Sequence, residues 1–469
     1  MAQNLDDLFE THDALGLGER VAAGEVSAAE VTAAGRARIA RVDAELGAVS
    51  REMEAGRAAS GPFQGVPFVV KDLLADCAGV TTTAGSAFFA GDPGAAADSA
   101  AVRRMRASGL PIVARTKTSE FGLAPTTEPR CGGPVRNPWG RALSPGGSSG
   151  GSAALVAARA VPMAHATDGG GSIRIPASLC GLFGLKPSRG RISLAPLGEA
   201  LAGASAQHCV SVSVRDSAAL LDALSGPEPG DPYGMPAPEA PFLASAGRDP
   251  GRLRIALQKR PNGGPETDAE VVRALEDAAR LLESLGHTVE AAAPDYAFPA
   301  VEEALMTVMA ANLWTNISAR AGARPLDEAG FEPVTWAYAT TGRDMPASQY
   351  IRAVQAFHRI GRQVGAFFER YDVLLSPTIA RAGLPLGTVR MDGTVEDFRA
   401  ATAPMIAFTA VCNVSGTPAA SVPLGWSDEG LPIGIQISAA WGAEATLLSL
   451  AGQLERAQPW RSRRPPVCA

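Results

Sequence analysis

The stretch GGSSGGSAALVAARAVPMAHATDGGGSIR, residues 146–174, decides how this 469-residue chain is read. It holds two glycine runs around serines, Gly146-Gly147-Ser148-Ser149-Gly150-Gly151-Ser152 and Asp168-Gly169-Gly170-Gly171-Ser172-Ile173-Arg174. Between them the pattern predicts a helix over 153–158 and a strand over 162–167. Three glycines before a serine free the backbone for φ values that other residues avoid. They also let several N–H groups converge on one point, as in an anion nest or an oxyanion hole. A flexible surface loop would explain one such run. A second run, one helix–strand unit away, weakens that explanation. Gly147-Ser148-Ser149-Gly150-Gly151 also satisfies G-x-S-x-G, but 137–141 before it (NPWGR) makes a poor strand for a nucleophile elbow. No Gly-Lys dipeptide occurs, so a phosphate loop has no support.

Outward from this stretch, the chain alternates helical and extended segments. Ser27-Ala28-Ala29-Glu30 is a capping box opening a helix to about residue 44. Gly65 to Asp72 (GVPFVVKD) reads as a buried strand and 111–115 as the next, with a helix over 101–108 between them. Strands are also expected at 253–257, 372–377, 420–423 and 433–437, and helices at 214–226, 268–285 and 443–456. Residues 300–370 read as helical, with a break near 325–333. This order predicts an α/β fold: a central, mostly buried mixed β-sheet covered by helices on both faces. No internal repeat is present. One interwoven domain over 1–469 is expected, with N-terminal helices over 1–60 and a catalytic core over 61–200. A variable helical and loop excursion over 227–345 would line the pocket, and 371–469 would form a C-terminal core half.

Composition narrows the function classes. Apolar residues make up 46% and charged residues 19%, enough for a large core. The formal net charge of −6 argues against a nucleic-acid binder. The acidic N-terminus (MAQNLDD) does not read as a signal peptide, and no 18-residue apolar run suggests a membrane span. The six cysteines form no C-x-x-C pair, so a reduced, cytoplasmic setting without a metal site is expected.

If a serine is the nucleophile, a base must remove its proton. His165, in the apolar run 161–165, reads as a core histidine with a satisfied hydrogen bond. His208, His287 and His358 read as scattered through helices and loops. Lys71 ends a buried strand, an expensive place for an ammonium. It reads either as paired with Asp72 or Asp76, or as a base. Free lysine, with pKa about 10.4, is neutral in only about 4 of 10,000 molecules at pH 7. Burial lowers the pKa, and Ser–Lys nucleophiles work without histidine.

Residues 146–193 (GGSSGGSAALVAARAVPMAHATDGGGSIRIPASLCGLFGLKPSRGRIS) closely resemble the amidase signature family. GVPFVVKD at 65–72, Thr127-Glu128-Pro129, Asn137-Pro138, YDVLLSPT at 371–378 and the run 413–437 extend the resemblance over nearly the whole chain. It implies the amidase signature fold and a Ser–cis-Ser–Lys catalytic unit. By position the nucleophile is Ser172, the bridging serine Ser148 and the base Lys71. Backbone N–H groups of Gly169, Gly170 and Gly171 would form the oxyanion hole, and Asp168, Arg174 and Ser149 would support the site. Gly169 departs from the family, which more often has a threonine or a larger residue there.

Within the family, VRNPW, the TTEP at 126–129, RIPAS at 174–178, KPSRGRIS at 186–193 and the closing PWRSRRP are most similar to the 6-aminohexanoate cyclic-dimer hydrolase type. That likeness implies hydrolysis of linear or cyclic secondary amides of a xenobiotic kind, such as aminohexanoate oligomers or aryl amides, through a serine acyl-enzyme. A carbamate (urethane) hydrolase on the same unit is the alternative. The amidase subunit of a glutamine-dependent aminoacyl-tRNA amidotransferase is the alternative of another class, against which KDLLADC departs from the expected KDNI. A non-catalytic scaffold is disfavoured because all three catalytic positions are filled. The pocket walls are expected at 81–90, 122–125, 308–317 and 330–340, with Leu123, Asn312 and Trp336 binding substrate. No metal or organic cofactor, nucleic acid or membrane is implied. The expected partner is a small amide or carbamate, and the family implies a homodimer.

Overall fold

Phe68-Val69-Val70-Lys71 joins an aromatic and two β-branched residues into a strand whose four side chains are all buried. In the computed structural model, which describes residues 5–56 and 59–469, this strand lies in a small three-stranded sheet. The sheet comprises β1 (Val49–Glu52), β2 (Phe68–Lys71) and β3 (Ile112–Thr116), in the order β1-β3-β2. The helix Ala100–Ala107 links β2 to its parallel neighbour β3, as a parallel pair requires.

A larger mixed sheet holds β4 (Met163–Asp168), β5 (Phe183–Lys186), β6 (Ala206–Ser211), β7 (Arg254–Leu257), β8 (Thr288–Ala291), β9 (Val373–Pro377), β10 (Ala419–Trp426) and β11 (Pro432–Ala439). Its order is β4-β6-β5-β10-β11-β9-β7-β8. Pairing is antiparallel from β4 to β9 and parallel over β9-β7-β8.

The two-residue period of β11 explains how helices cover both faces. Ile433, Ile435 and Ile437 face the helices Ala269–Ser284 and Glu444–Ala457, packing with Val271, Leu275, Leu282, Leu447 and Leu454. The alternate positions meet the short helix Arg174–Cys180: Ser178 accepts from the Gly434 N–H and Arg174 donates to Gln436. A Cβ at Gly434 would lie 2.6 Å from Ser178 Cβ, so this helix rests directly on the sheet backbone.

The expected α/β fold is present, with two departures. Residues 227–345 are not only an excursion, because β7 and β8 join the large sheet. The N-terminal 60 residues also supply β1. The strands β5, β6 and β8 were missed, β6 because AQHCVS carries three polar side chains and lacks an apolar run. Its polar side chains are nonetheless buried, and each makes at least one hydrogen bond. Gln207 reaches His165 and the Ser193 carbonyl, while His208 reaches Ser217.

Three helices, Phe298–Ala321, Pro333–Arg343 and Ala347–Phe368, stack beside the sheet. Gly342 lets the second approach the first: a Cβ there would sit 1.9 Å from the Ala310 carbonyl oxygen. Gly342→Ala is therefore expected to destabilise the protein by about 1–3 kcal/mol through overpacking, despite alanine's better helix propensity. A denaturant midpoint equal to or above wild type would contradict this close approach.

Candidate functional site

Three chain segments build the site. β2 delivers Lys71 at its C-terminal end, and β4, packed against it, delivers Thr167. The turn before the helix Gly150–Ala157 delivers Ser148. Lys71 Nζ donates to Ser148 Oγ and to Thr167 Oγ1, each at 2.7 Å. Among the described residues no carboxylate lies within ion-pair distance of Lys71. Burial therefore dominates, lowering its pKa from 10.5 to about 7 against the opposing pull of Asp168. The expected pairing with Asp72 or Asp76 does not occur. Asp72 bonds Arg115 and Thr83, and Asp76 bonds Thr82.

The serine turn is held from several sides. The Gly147–Ser148 peptide is cis. A Cβ on Gly147 would stand 2.1 Å from the Thr126 carbonyl oxygen, so only glycine fits against that backbone. Thr127 Oγ1 donates to the Gly146 carbonyl and accepts from the Gly150 N–H. Ser149 Oγ donates to the Thr167 carbonyl and accepts from the Thr167 N–H, clamping the turn to β4.

Asp168 and Arg174 form a fully buried ion pair, with Arg174 Nε on Oδ2 and Nη2 on Oδ1, both at 2.9 Å. Burial alone would raise the Asp168 pKa, but the Arg174 charge and hydrogen bonds overcome it and hold the carboxyl at about 2. Asn413 and Gln436 complete the polar shell around the guanidinium. Asp168 also accepts from the N–H groups of Gly171 and Ile173. This corrects one expectation. The Gly171 N–H is committed to Asp168 at 2.7 Å, which leaves Gly169 and Gly170 as the glycine amides with no acceptor among the described residues. Gly171 itself holds φ +140°, which suits glycine.

Ser172 is half-buried and lines the same cavity as Ser148 and Thr167, though no hydrogen bond joins the two serines. The cavity has about 1010 Å³ of atom-free volume, and none of its lining residues is ionisable. Its walls are Leu73, Phe121, Leu123, Met306, Met309, Leu313 and Ile406, among others. Leu123 lines the cavity. Asn312 also lines the cavity, but its amide already bonds the Val308 carbonyl and the Leu201 N–H. Trp336 does not reach the cavity. It stacks on Phe331 at 5.7 Å, in an aromatic cluster with Phe88, Phe89 and Phe121. The segments 81–90 and 330–340 back this cluster rather than wall the cavity.

Thr167 and the loop residues Leu201 and Ser205 were missed. Thr167 had no sequence signal beyond ending a strand. Leu305, Met309, Asn312 and Asn316 recur at helical spacing, which reads equally well as ordinary core. His165 and His208 are buried, and desolvation pulls each pKa to about 3, so neither takes up a proton near neutrality. His208 lies on β6 beside Ser217, not in a loop or helix.

The model of the family described as Amidase matches residues 29–448. A 6-aminohexanoate-cyclic-dimer hydrolase of Paenarthrobacter ureafaciens is 38% identical, covering 98% of this chain and 97% of the relative. A solved structure of 6-aminohexanoate cyclic dimer hydrolase complexed with substrate superposes with TM-score 0.93 at 37% identity, covering 99% of this chain and 100% of that one. A bacterial aryl acylamidase of the amidase signature family gives 0.87 at 26% identity, covering 97% and 98%.

Removing one member of the buried ion pair should be severe. Arg174→Met would leave Asp168 as an uncompensated buried charge and is expected to cost about 3–5 kcal/mol in a urea titration. A loss below about 1 kcal/mol would show that the pair does not hold the glycine loop.

Proposed function

The chain belongs to the amidase family, and on that premise we propose that it is a serine amidohydrolase of apolar secondary amides working through Ser172, Ser148 and Lys71. The observation that carries this reading is a lysine buried beside Ser148 at 2.7 Å with a pKa of about 7, at the base of a cavity that Ser172 also lines.

In the proposed mechanism, neutral Lys71 accepts the Ser148 hydroxyl proton while Ser148 accepts that of Ser172. Ser172 Oγ bonds to the amide carbon, and the carbonyl electron pair moves to oxygen. The Gly169 and Gly170 N–H groups stabilise this oxyanion. The proton returns through Ser148 to the amide nitrogen, the C–N bond breaks, and an ester to Ser172 remains. Water then adds to the ester carbon, giving its proton along the same path, and the acid leaves as Ser172 Oγ regains a proton. The Ser148–Ser172 contact would close when substrate fills the cavity, since catalytic hydrogen bonds often tighten in the complex.

An apolar wall without ionisable side chains favours uncharged substrates such as cyclic aminohexanoate oligomers and aryl amides. It offers no counter-charge to the ammonium and carboxylate of glutamine, which argues against the amidotransferase reading. Aryl carbamates would fit the same walls and the same chemistry. The six cysteines are all free, in keeping with a reducing compartment, and among the described residues no helix is long and apolar enough to cross a membrane.

Ser172→Ala is expected to abolish both turnover and labelling by a sulfonyl fluoride. Lys71→Ala should lower kcat by about 10³-fold or more and Ser148→Ala by somewhat less. Because the base works deprotonated, kcat/KM should rise about tenfold per pH unit below 7 and level off about one unit above. Full activity or retained label in Ser172→Ala would sink the nucleophile assignment, and a flat profile from pH 5 to 8 the lysine base. Amine release across anilides, aminohexanoate oligomers, an aryl carbamate and glutamine should favour the uncharged amides. Activity on glutamine alone would overturn the substrate reading.

A further inference from the structure

The three-stranded sheet bounds a second cavity, with about 650 Å³ of atom-free volume, that shares no lining residue with the first. Its wall is cationic. Arg51 on β1 stands directly opposite Arg115 on β3, and Lys117 lines the same space. Like charges facing each other across neighbouring strands destabilise a sheet unless something offsets them. One carboxylate, Asp72, lines the cavity, and it serves Arg115 at 3.3 Å together with the Thr83 N–H and hydroxyl. Among the described residues Arg51 and Lys117 have no carboxylate within ion-pair distance. Lys117 donates to the Gly132 carbonyl, and burial pulls its pKa below the ordinary lysine value.

Two further groups in this wall are buried without partners. Arg115 is 1% exposed and donates through Nη2 to the Ala75 carbonyl, yet its Nε has no acceptor. The Thr118 hydroxyl is fully buried and also unpartnered. Three cations against one carboxylate leave a surplus of positive charge in a concave, hydroxyl-bearing space, which also carries Thr81 and Thr83.

We propose that this cavity binds a small oxyanion, a phosphate, sulfate or carboxylate group, between Arg51 and Lys117. Those two side chains supply charge-assisted donors, and Arg115 beneath them supplies a field only partly cancelled by Asp72. The site is independent of the amide-hydrolysing cavity.

The test is calorimetric titration of the full chain with inorganic phosphate, sulfate and acetate, against chloride at matched ionic strength. Saturable binding of at least one oxyanion at a single site is expected, weakened about tenfold by Arg51→Gln and by Lys117→Gln. Preference for acetate would assign carboxylate ligands, and preference for phosphate or sulfate tetrahedral ones. Both variants should keep wild-type amide turnover, which verifies their fold, since neither side chain lines the other cavity. Absence of saturable binding to the wild-type chain at 50-fold molar excess and at millimolar anion, on the order of weak-site affinities, would overturn the proposal. So would unchanged affinity in both variants.

Discussion

The burial of one ammonium group at the end of β2 is the constraint around which the site is arranged. Lys71 is fully enclosed, and among the described residues no carboxylate lies within ion-pair distance of it. An ammonium so placed loses its hydration, and the two hydroxyls that take its hydrogen bonds return only part of it. The equilibrium moves toward the neutral amine, which is the form able to accept a proton. A carboxylate in contact would have restored the charged form. The polarity of two neighbours on β4 follows: Thr167 faces the lysine with a neutral hydroxyl, while Asp168 spends its charge elsewhere.

Asp168 belongs to a second electrostatic unit that complements the first. Its carboxylate raises the Lys71 pKa, but Arg174 sits against both of its oxygens, so much of its charge is neutralised locally. The same carboxylate gathers the Gly171 and Ile173 N–H groups, which sets the curvature of the glycine loop and leaves Gly169 and Gly170 facing the cavity. Arg174 extends the network to Thr409, Asn413 and Gln436, on elements more than 230 residues later in the chain. The C-terminal helix Ala410–Ser415, with its N-cap Thr409, and strand β11 thereby hold the loop as well as the core.

The cavity above has the opposite character. Helix Phe298–Ala321, the turn at 121–125 and the loop at 200–205 supply apolar walls from three separate parts of the chain. Apolar walls strengthen a hydrogen bond made inside the cavity by lowering the local dielectric. No charged side chain in the lining would offset the desolvation of a charged ligand. The cationic cavity bounded by the three-stranded sheet inverts this logic, gathering Arg51, Arg115 and Lys117 where the apolar cavity has no ionisable lining residue.

Much of this was legible from residues 146–174 and 65–72 alone. Glycine runs, a serine at a fixed offset and a lysine closing a β-branched run are local signals, because backbone freedom and strand burial are local properties. Five of the eight strands of the large sheet and most helices followed from periodicity for the same reason. What depended on folding was every relation between distant segments. Sequence spacing could not tell that Thr167, rather than Asp72 or Asp76, meets Lys71, that Asp168 takes the Gly171 amide, or that Trp336 stacks on Phe331 away from the cavity. β6 escaped because its polar side chains find partners only after folding. The cross-strand register of Arg51 and Arg115 is likewise invisible along the chain. Through-space electrostatics and packing decide these pairings, and both depend on distances that only the tertiary structure sets.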